Sequence, residues 1–306
     1  MSDRATVKIW GTIAGAVLWN ETTQTASFEY APDFVKKGHE LAPLKMPLIE
    51  KAIYNFPELR HRSAQEENTF SGLPGLLADT LPDRYGNRLI NSWLAQQGRP
   101  ENSMNPIEKL CFIGARGMGA LEFEPAEQIN TESFDIELNS LIDVATQMLN
   151  DRENFITNIK EDELKAMQDI LTIGTSAGGA RAKAIIAFNE KTGAVKSGQT
   201  NVPKDFKHYL IKLDGVDDAQ FGTTKGYGRV EMAYYLMALD CGIEMMPSLL
   251  LEENGRAHFL TQRFDRAQGN TKHHVQTLCA MQHYDYNEVG AYSYEQLFQT
   301  MRLLGL

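Results

Sequence analysis

The strongest constraint on the fold is the Asn254-Gly255 pair, which lies between two short apolar runs. An Asn-Gly pair readily adopts the positive φ angles of a type I′ turn, and such a turn joins two antiparallel strands. The flanking runs, Leu249 to Leu251 and His258 to Leu260, have the length of strands. The pair therefore predicts a β-hairpin, and with it an antiparallel sheet in this part of the chain.

The segment before the hairpin predicts a strand, a glycine-rich turn, two strands and a helix, in that order. The three strand candidates are Ile170 to Ile173, Lys183 to Phe188 and His208 to Leu213. The helix extends from Val230 to Cys241, because its apolar residues recur at helical spacing. Its apolar face consists of Val230, Ala233, Tyr234, Met237 and Cys241. This order of elements indicates an α+β fold with an antiparallel sheet.

The first part of the chain is rich in predicted strands. Short apolar runs bounded by turn residues indicate strands; they are Val7 to Trp10, Ala16 to Trp19 and Ala26 to Tyr30. A turn leading into a helix follows between Gly72 and Trp93. The polar stretch from Ala126 to Thr131 is typical of a linker, and a helix over Leu138 to Leu149 comes after it. The sequence therefore predicts two domains, residues 1–130 and residues 131–306.

Charge and cysteine usage exclude several classes of protein. A net charge of −10 argues against a broad basic surface for nucleic acid. The three cysteines are far apart and form no Cys-x-x-Cys pair, so neither a zinc site nor a disulfide framework is indicated. No stretch approaches the roughly 20 apolar residues of a membrane span, and the N-terminus does not resemble a signal peptide. These observations predict a soluble cytoplasmic protein that does not enter a membrane.

The glycine-rich turn from Gly174 to Arg181 is a candidate anion-binding loop. Small residues let backbone N–H groups approach a phosphate without obstruction by side chains. It is not a Walker A loop, because Ala180 and Arg181 stand where that motif requires Lys and Ser or Thr. Taken alone, the turn is more often a plain hairpin connection that binds no ligand.

Lys212 and Glu231 form a second candidate group. Lys212 lies in a strand whose side chains alternate between two faces. Burying its ammonium among apolar neighbours costs free energy unless the ammonium meets a phosphate or a carboxylate, or reaches water. A strand lysine paired with a glutamate on the following helix holds the nucleotide phosphates in kinases. Two simpler interpretations stay open, namely an edge-strand lysine that reaches water and a solvated first-turn glutamate.

The hairpin ends in Thr261 to Arg266, which corresponds to the adenine hinge in a kinase-like fold. Phe264 would supply an apolar wall there. For Arg263 and Arg266 the favoured interpretation is a solvated Arg-Asp-Arg cluster at a sheet edge. Each of these features is weak alone, but glycine loop, strand lysine, helix glutamate, hairpin and hinge follow the order of a kinase N-lobe.

Three segments resemble signatures of the HipA family of kinases, which are toxins of bacterial type II toxin–antitoxin modules. They are Ser71 to Asp83, Gly174 to Lys183, and Arg263 to Arg266, and the similarity extends along nearly the whole chain. The resemblance implies a small β-rich N-terminal subdomain that helps to contact the antitoxin. It further implies a kinase-like N-lobe with an antiparallel sheet and the first helices of an incomplete C-lobe.

The resemblance also implies ATP and Mg²⁺ as cofactors and assigns residues to them. Ser176 aligns with a serine that the family autophosphorylates to inactivate itself. The residues assigned to ATP are Gly178, Gly179 and Ala180 in the phosphate loop, Lys212 and Glu231, and Gln262 and Phe264 at the adenine hinge. Gln262 replaces the glutamate expected there, a change that a backbone contact tolerates.

The family's Asp-x-His-x-Lys-Asn catalytic loop and its later Mg²⁺-binding aspartate do not occur in these 306 residues. No catalytic residue and no metal ligand is therefore assigned, and this chain alone is predicted to be inactive. The last helix is predicted to begin at Ser293, with Gln296 completing a capping box. Its apolar stripe, for which the sequence offers no partner, consists of Tyr294, Leu297, Met301 and Leu304.

Three functional hypotheses follow. The first is an ATP-dependent serine/threonine kinase toxin that phosphorylates a translation component, such as an aminoacyl-tRNA synthetase, and arrests growth. The second is a naturally truncated, kinase-dead binding module that engages the antitoxin or a full-length toxin. The third is an unrelated nucleotide-binding or scaffold protein. In the first two, the resemblance implies a HipB-like helix-turn-helix antitoxin as partner, and DNA is contacted only through it.

Overall fold

The structure is a computed structural model of the 306-residue chain. It describes residues 3–60, 69–126, 133–150, 161–175, 180–199, 201–219, 222–267 and 270–306. The chain divides into two compact units. The first comprises Met1–Leu81, Met104–Glu127 and His273–Leu306, and the second comprises Pro82–Ser103 and Gln128–Lys272. Because each unit is built from separate segments, the domain division at residue 130 stays a prediction. Most of the predicted linker lies outside the described residues.

Two antiparallel sheets organise the fold, one in each unit. The strands of the first sheet are β1 (Arg4–Ile9), β2 (Thr12–Asn20), β3 (Thr25–Tyr30), β4 (Ile53–Asn55) and β5 (Leu121–Glu124), in the order β4-β3-β2-β1-β5. The strands of the second are β6 (Lys183–Phe188), β7 (Val195–Ser197), β8 (Lys207–Lys212), β9 (Ser248–Glu253) and β10 (Arg256–Gln262), in the order β7-β6-β8-β10-β9. The predicted α+β class with antiparallel sheets is confirmed.

The helices of the described chain include the four that were predicted and several that were not. They are α1 (Pro32–Val35), α2 (Gly75–Ala78), α3 (Arg84–Gln96), α4 (Pro106–Ile113), α5 (Leu138–Asn150), α6 (Glu161–Gly174), α7 (Tyr227–Asp240), α8 (Leu278–Gln282) and α9 (Tyr294–Leu304), with a 3₁₀ turn at Pro57–Leu59. None of these helices combines the length and the apolar character that crossing a membrane requires.

Local sequence signals account for several element boundaries. The hairpin turn is confirmed, because Asn254 and Gly255 have φ angles of 46° and 75° and join β9 to β10. The capping box of α9 is also confirmed, with the Ser293 N–H donating to Gln296 Oε1 over 2.7 Å. Asp83 caps α3 by accepting the N–H of Gly86. Each cap satisfies backbone donors that the first turn of a helix leaves unpaired.

The predicted strand at Ile170 to Ile173 is wrong, because these residues lie in α6. A short apolar run cannot distinguish a buried strand from a buried helical turn. The wider segment shows the difference, since its buried residues recur at helical spacing; they are Ala166, Met167, Ile170, Leu171 and Ile173.

In the first unit, His283 supports the start of α2. Its Nε2 accepts the N–H of Gly75 over 3.1 Å, and its ring lies edge-on to Phe56 and Phe70. Burial, assisted by the nearby Lys45 ammonium, lowers the pKa of His283 to about 4. Only the neutral imidazole can accept this hydrogen bond.

This pKa shift predicts a loss of stability in acid. The unfolded imidazole takes up a proton near pH 6.5 and the folded one only near pH 4, so lowering the pH across this window favours unfolding. We expect His283 to contribute about 2 kcal/mol of this loss between pH 7 and pH 4.5. Urea unfolding at both pH values measures it. Between these pH values, the free energy of unfolding should fall less in the His283→Gln variant than in the wild type. The control variant His273→Gln changes an exposed histidine and should behave as the wild type.

Candidate functional site

The centre of the candidate site is an ion pair between Lys212 and Glu231. Lys212 ends β8, and Glu231 lies in the first turns of α7, so that its Oε1 contacts Lys212 Nζ directly. Both side chains are about two-fifths exposed. The strand alternates as predicted, because Tyr209, Ile211 and Leu213 are buried on the opposite face. Since β8 lies between β6 and β10, the edge-strand interpretation of Lys212 is wrong.

The start of α7 is fixed against β10 by the buried carboxylate of Asp214. Its two oxygens accept the N–H groups of Gly226 and Ala257, each over 2.8 Å. His258 Nδ1 in turn accepts the N–H of Asp214 over 2.9 Å. Gly228 allows the helix backbone to approach the Ala257 carbonyl, where a side chain would not fit. These contacts set the position of Glu231, and none of them was predicted from the sequence.

A second ion pair lies beside the first and is almost completely buried. Lys183 Nζ is 2.7 Å from Asp83 Oδ2, and the two side chains are 4% and 11% exposed. Lys183 is also the direct cross-strand partner of Lys212. Burial lowers the pKa of Lys183, Asp83 opposes this effect, and Lys212 adds to it. Asp83 and Lys183 occur in the signature segments, but no role of their own was predicted for either residue.

The phosphate loop is described only at its two ends. Ser176, Gly178 and Gly179 lie outside the described residues. Ala180 is half-buried at the far end of the loop. Next to it, the Arg181 guanidinium stacks 4.2 Å from the centre of the Tyr227 ring. This contact connects the end of the loop with the first residue of α7.

The predicted hinge residues lie at the end of β10. Gln262 closes the strand, its N–H donating to the Pro247 carbonyl over 2.9 Å, and the Phe264 side chain is 57% exposed. Lys212 pairs with Phe259, three residues before Gln262 on the same strand. Three strand residues correspond to roughly 10 Å. About this distance along the sheet therefore separates Lys212 from Gln262, the first of the predicted hinge residues.

The predicted solvated cluster of Arg263, Asp265 and Arg266 is wrong, because all three residues are buried. Asp265 Oδ1 and Oδ2 accept Arg263 Nε and Nη2 over 2.8 and 2.6 Å, and Arg266 Nη1 lies 2.5 Å from Oδ2. Short charge-assisted hydrogen bonds of this kind offset the cost of removing the charges from water. The cluster therefore supports the segment that follows β10 from inside the protein.

Within the described ranges, no group of three His, Cys, Asp or Glu side chains could hold a metal ion. Lys212, whose ammonium is partly exposed, pairs across the strands with Lys183, just after the glycine loop, and the exposed ring of Phe264 lies just after β10. Lysine is a common ligand for phosphate, and an aromatic face suits a purine.

Models of two known protein families match most of the chain. The family described as HipA N-terminal domain matches residues 5–124, and the HipA-like C-terminal domain matches residues 175–305. A solved structure of the Shewanella oneidensis MR-1 toxin–antitoxin system, comprising HipA, HipB and operator DNA, shares the fold with a TM-score of 0.52 and 15% identity. The match covers 86% of this chain and 51% of that one, so this chain spans about half its length. A search of curated proteins found no match.

Proposed function

Because the chain belongs to the HipA-like family, we propose that it provides the nucleotide-binding part of a serine/threonine kinase toxin. The observation that carries this proposal is the Lys212–Glu231 ion pair, held between a glycine-rich segment and a hinge. In kinases, a strand lysine fixed by a helix glutamate orients the nucleotide phosphates. The substrate of the whole enzyme would be a translation component, such as an aminoacyl-tRNA synthetase.

Each side chain then has a defined task toward ATP. Lys212 would bind the phosphates, and Glu231 would hold its ammonium in place by the ion pair. Backbone groups from Gly178 to Ala180 cover the phosphates, while Gln262 and Phe264 bound the adenine. ATP would bring Mg²⁺, for which the described residues contain no group of three His, Cys, Asp or Glu side chains. Ser176 would be the site of inactivating autophosphorylation.

This assignment predicts that Lys212→Met raises the Kd for ATP roughly ten-fold or more, because one charge-assisted phosphate contact is lost. Isothermal titration of the 306-residue chain measures the affinity. Lys207→Met is the matched control, since Lys207 begins the same strand and pairs with Glu190 at the surface. An unchanged Kd in the Lys212 variant, or no binding by the wild type, would contradict the proposal.

Phosphate transfer by these 306 residues alone is not part of the proposal, because they do not contain the family's catalytic loop. Transfer from γ-labelled ATP to a protein would contradict that statement. The matched structure is a complex with HipB and operator DNA. By that likeness, we expect a HipB-like helix-turn-helix antitoxin as partner, with DNA contacted only through it.

The exposed apolar side chains on two helices favour a second candidate, a binding module that engages the antitoxin or a full-length toxin. On α7, Val230, Tyr234 and Met237 are 52%, 68% and 59% exposed. On α9, Tyr294 is 75% exposed. Apolar side chains grouped in this way mark interaction surfaces. Inhibition of a full-length HipA-like kinase by added chain, abolished by Tyr234→Ser and Met237→Ser together, would distinguish this role from nucleotide binding.

A further inference from the structure

One edge of the second sheet is long, apolar and open. β9 is the outermost strand of that sheet and spans six residues, Ser248–Glu253, three of which are leucines. The outer strands of the first sheet, β4 and β5, have only three and four residues. At the other end of the second sheet, β7 has three residues, and Ile136 donates its N–H to the Val195 carbonyl over 3.1 Å. Among the outer strands that the structure describes, β9 is therefore the one best suited to pair with another chain.

The backbone groups on the open side of β9 belong to Ser248, Leu250 and Glu252. In an antiparallel ladder, alternate residues bond to the neighbouring strand, and the residues between them face away from it. Pro247 belongs to the bonded set, since its carbonyl accepts the N–H of Gln262 over 2.9 Å. The outward groups therefore face a side where no described strand is paired with β9. The strand also contains no proline and no lysine, the residues that commonly prevent edge pairing.

A stripe of residues on α7 lies directly beside this edge. The helix contacts both β9 and β10, and Arg229 Nη2 lies 2.8 Å from Glu252 Oε1. Arg229 begins a stripe at helical spacing that continues through Ala233, Leu236 and Asp240. Ala233 and Asp240 are exposed, and Leu236 is 49% exposed. These four residues, the α7 stripe, therefore lie on the flank of the helix that is turned toward the open edge.

The α7 stripe is complementary to itself when two copies run antiparallel. Arg229 of one copy then lies opposite Asp240 of the other, so that opposite charges meet. Ala233 lies opposite Leu236, so that a small side chain faces a large one. Both pairs occur in one register, with a two-fold axis between positions 234 and 235. Such an axis repeats every contact, as in the interfaces of symmetric dimers.

The same two-fold axis suits the open edge of β9. Two β9 strands can pair antiparallel around Leu250, which places Glu252 of one copy opposite Ser248 of the other and avoids facing like charges. Because Arg229 near the start of α7 meets Glu252 near the end of β9, the two elements run in opposite directions. From this contact, the centre of the stripe lies about 8 Å along α7, and Leu250 lies about 7 Å back along β9.

The spacing of the two helices is also suitable. Strands in a sheet lie about 4.8 Å apart, and α7 lies over both β9 and β10. In a pair joined through β9, the axes of the two α7 helices would therefore be separated by about 10 Å. Packed helices are separated by roughly 8–10 Å, so the two stripes would be in contact.

We propose that the open edge of β9 and the α7 stripe together join two copies of this chain in a symmetric dimer. Two five-stranded sheets then form one continuous sheet, linked by about six main-chain hydrogen bonds, with the α7 helices antiparallel on one face. A second copy fits better than an unrelated protein, because the charges and the register match the chain itself. Glu231 lies on the opposite flank of α7, where it meets Lys212, so the dimer forms independently of the proposed nucleotide binding.

The test uses the full chain without nucleotide. Sedimentation equilibrium measures the dimer Kd, and amide hydrogen exchange is compared at low and high chain concentration. We expect a particle of twice the chain mass at roughly 100 µM, and exchange at Leu250 and Glu252 that is roughly ten-fold slower there than at about 1 µM. Leu249 and Leu251, whose N–H groups face β10, should exchange slowly at both concentrations.

Substitutions at the two parts of the surface should weaken the dimer. Leu250→Lys brings two like charges to the two-fold axis and should raise the dimer Kd at least roughly ten-fold. Ile53→Lys is the matched control, since Ile53 is 67% exposed on an outer strand of the first sheet, and it should leave the Kd unchanged. Asp240→Arg should also raise the Kd roughly ten-fold, by opposing Arg229 of the other copy. Adding Arg229→Asp to that variant should restore the dimer.

The charge exchange at Asp240 and Arg229 changes exposed side chains, so the test does not depend on how well the Leu250 variant folds. A monomer at every concentration, or a dimer that none of these substitutions weakens, would overturn the proposal. Protection of the β9 amides only after a HipB-like protein is added would also overturn it, and would assign the edge to that partner.

Discussion

Replacing Asp265 by asparagine is expected to lower the free energy of unfolding by about 3–5 kcal/mol. The substitution removes a carboxylate that pairs with the buried guanidinium groups of both Arg263 and Arg266. Two cations would then remain in a region that excludes water, and an amide oxygen compensates them far less than a carboxylate does. Urea denaturation at pH 7 measures the change directly.

The control for this prediction is an ion pair of similar length at the surface. Asp135 Oδ1 lies 2.6 Å from Lys196 Nζ, but the Asp135 side chain is 86% exposed. Asp135→Asn should therefore cost about 0.5 kcal/mol or less, because water screens exposed pairs. A similarly small loss in the Asp265 variant would show that water reaches the two guanidinium groups.

The parts of the fold that could be predicted are those set by local chemistry. The Asn254-Gly255 turn requires positive φ angles that few other pairs adopt, and it fixed the register of the hairpin around it. Alternation in β8 placed Lys212 on the face opposite the buried Tyr209 and Ile211. Glu231 follows in the next helix, and comparison with the order of elements in a kinase N-lobe suggested the ion pair.

The parts that could not be predicted depend on contacts between distant segments. Asp83 and Lys183 are separated by 100 positions, and no local pattern shows that they form a buried pair. Composition also misled the interpretation of Arg263 to Arg266, since charged residues are usually solvated and only the packed structure shows a carboxylate between two guanidiniums. Likewise, the role of Gly228 depends on which strand its helix contacts.

Replacing Gly228 by alanine should lower the free energy of unfolding, although helix propensity alone predicts that it raises it. Alanine normally stabilises a helix by about 1 kcal/mol relative to glycine. At this position an added Cβ would lie 1.8 Å from the Ala257 carbonyl oxygen, and that oxygen belongs to the backbone of β10. Because neither backbone can move without breaking the sheet or the helix start, we expect Gly228→Ala to lower the free energy of unfolding by about 2–3 kcal/mol.

The same substitution should weaken nucleotide binding, since moving α7 away from β10 withdraws Glu231 from Lys212. Ala233→Gly, on an exposed position of the same helix, is the matched control. It should cost about 1 kcal/mol through propensity alone and leave the Kd for ATP unchanged. If Gly228→Ala instead stabilises the chain, α7 does not contact β10 as closely as described, and the position of Glu231 must be set by other contacts. A loss of stability with an unchanged Kd would separate the two effects and show that ATP binding does not require the Lys212–Glu231 pair.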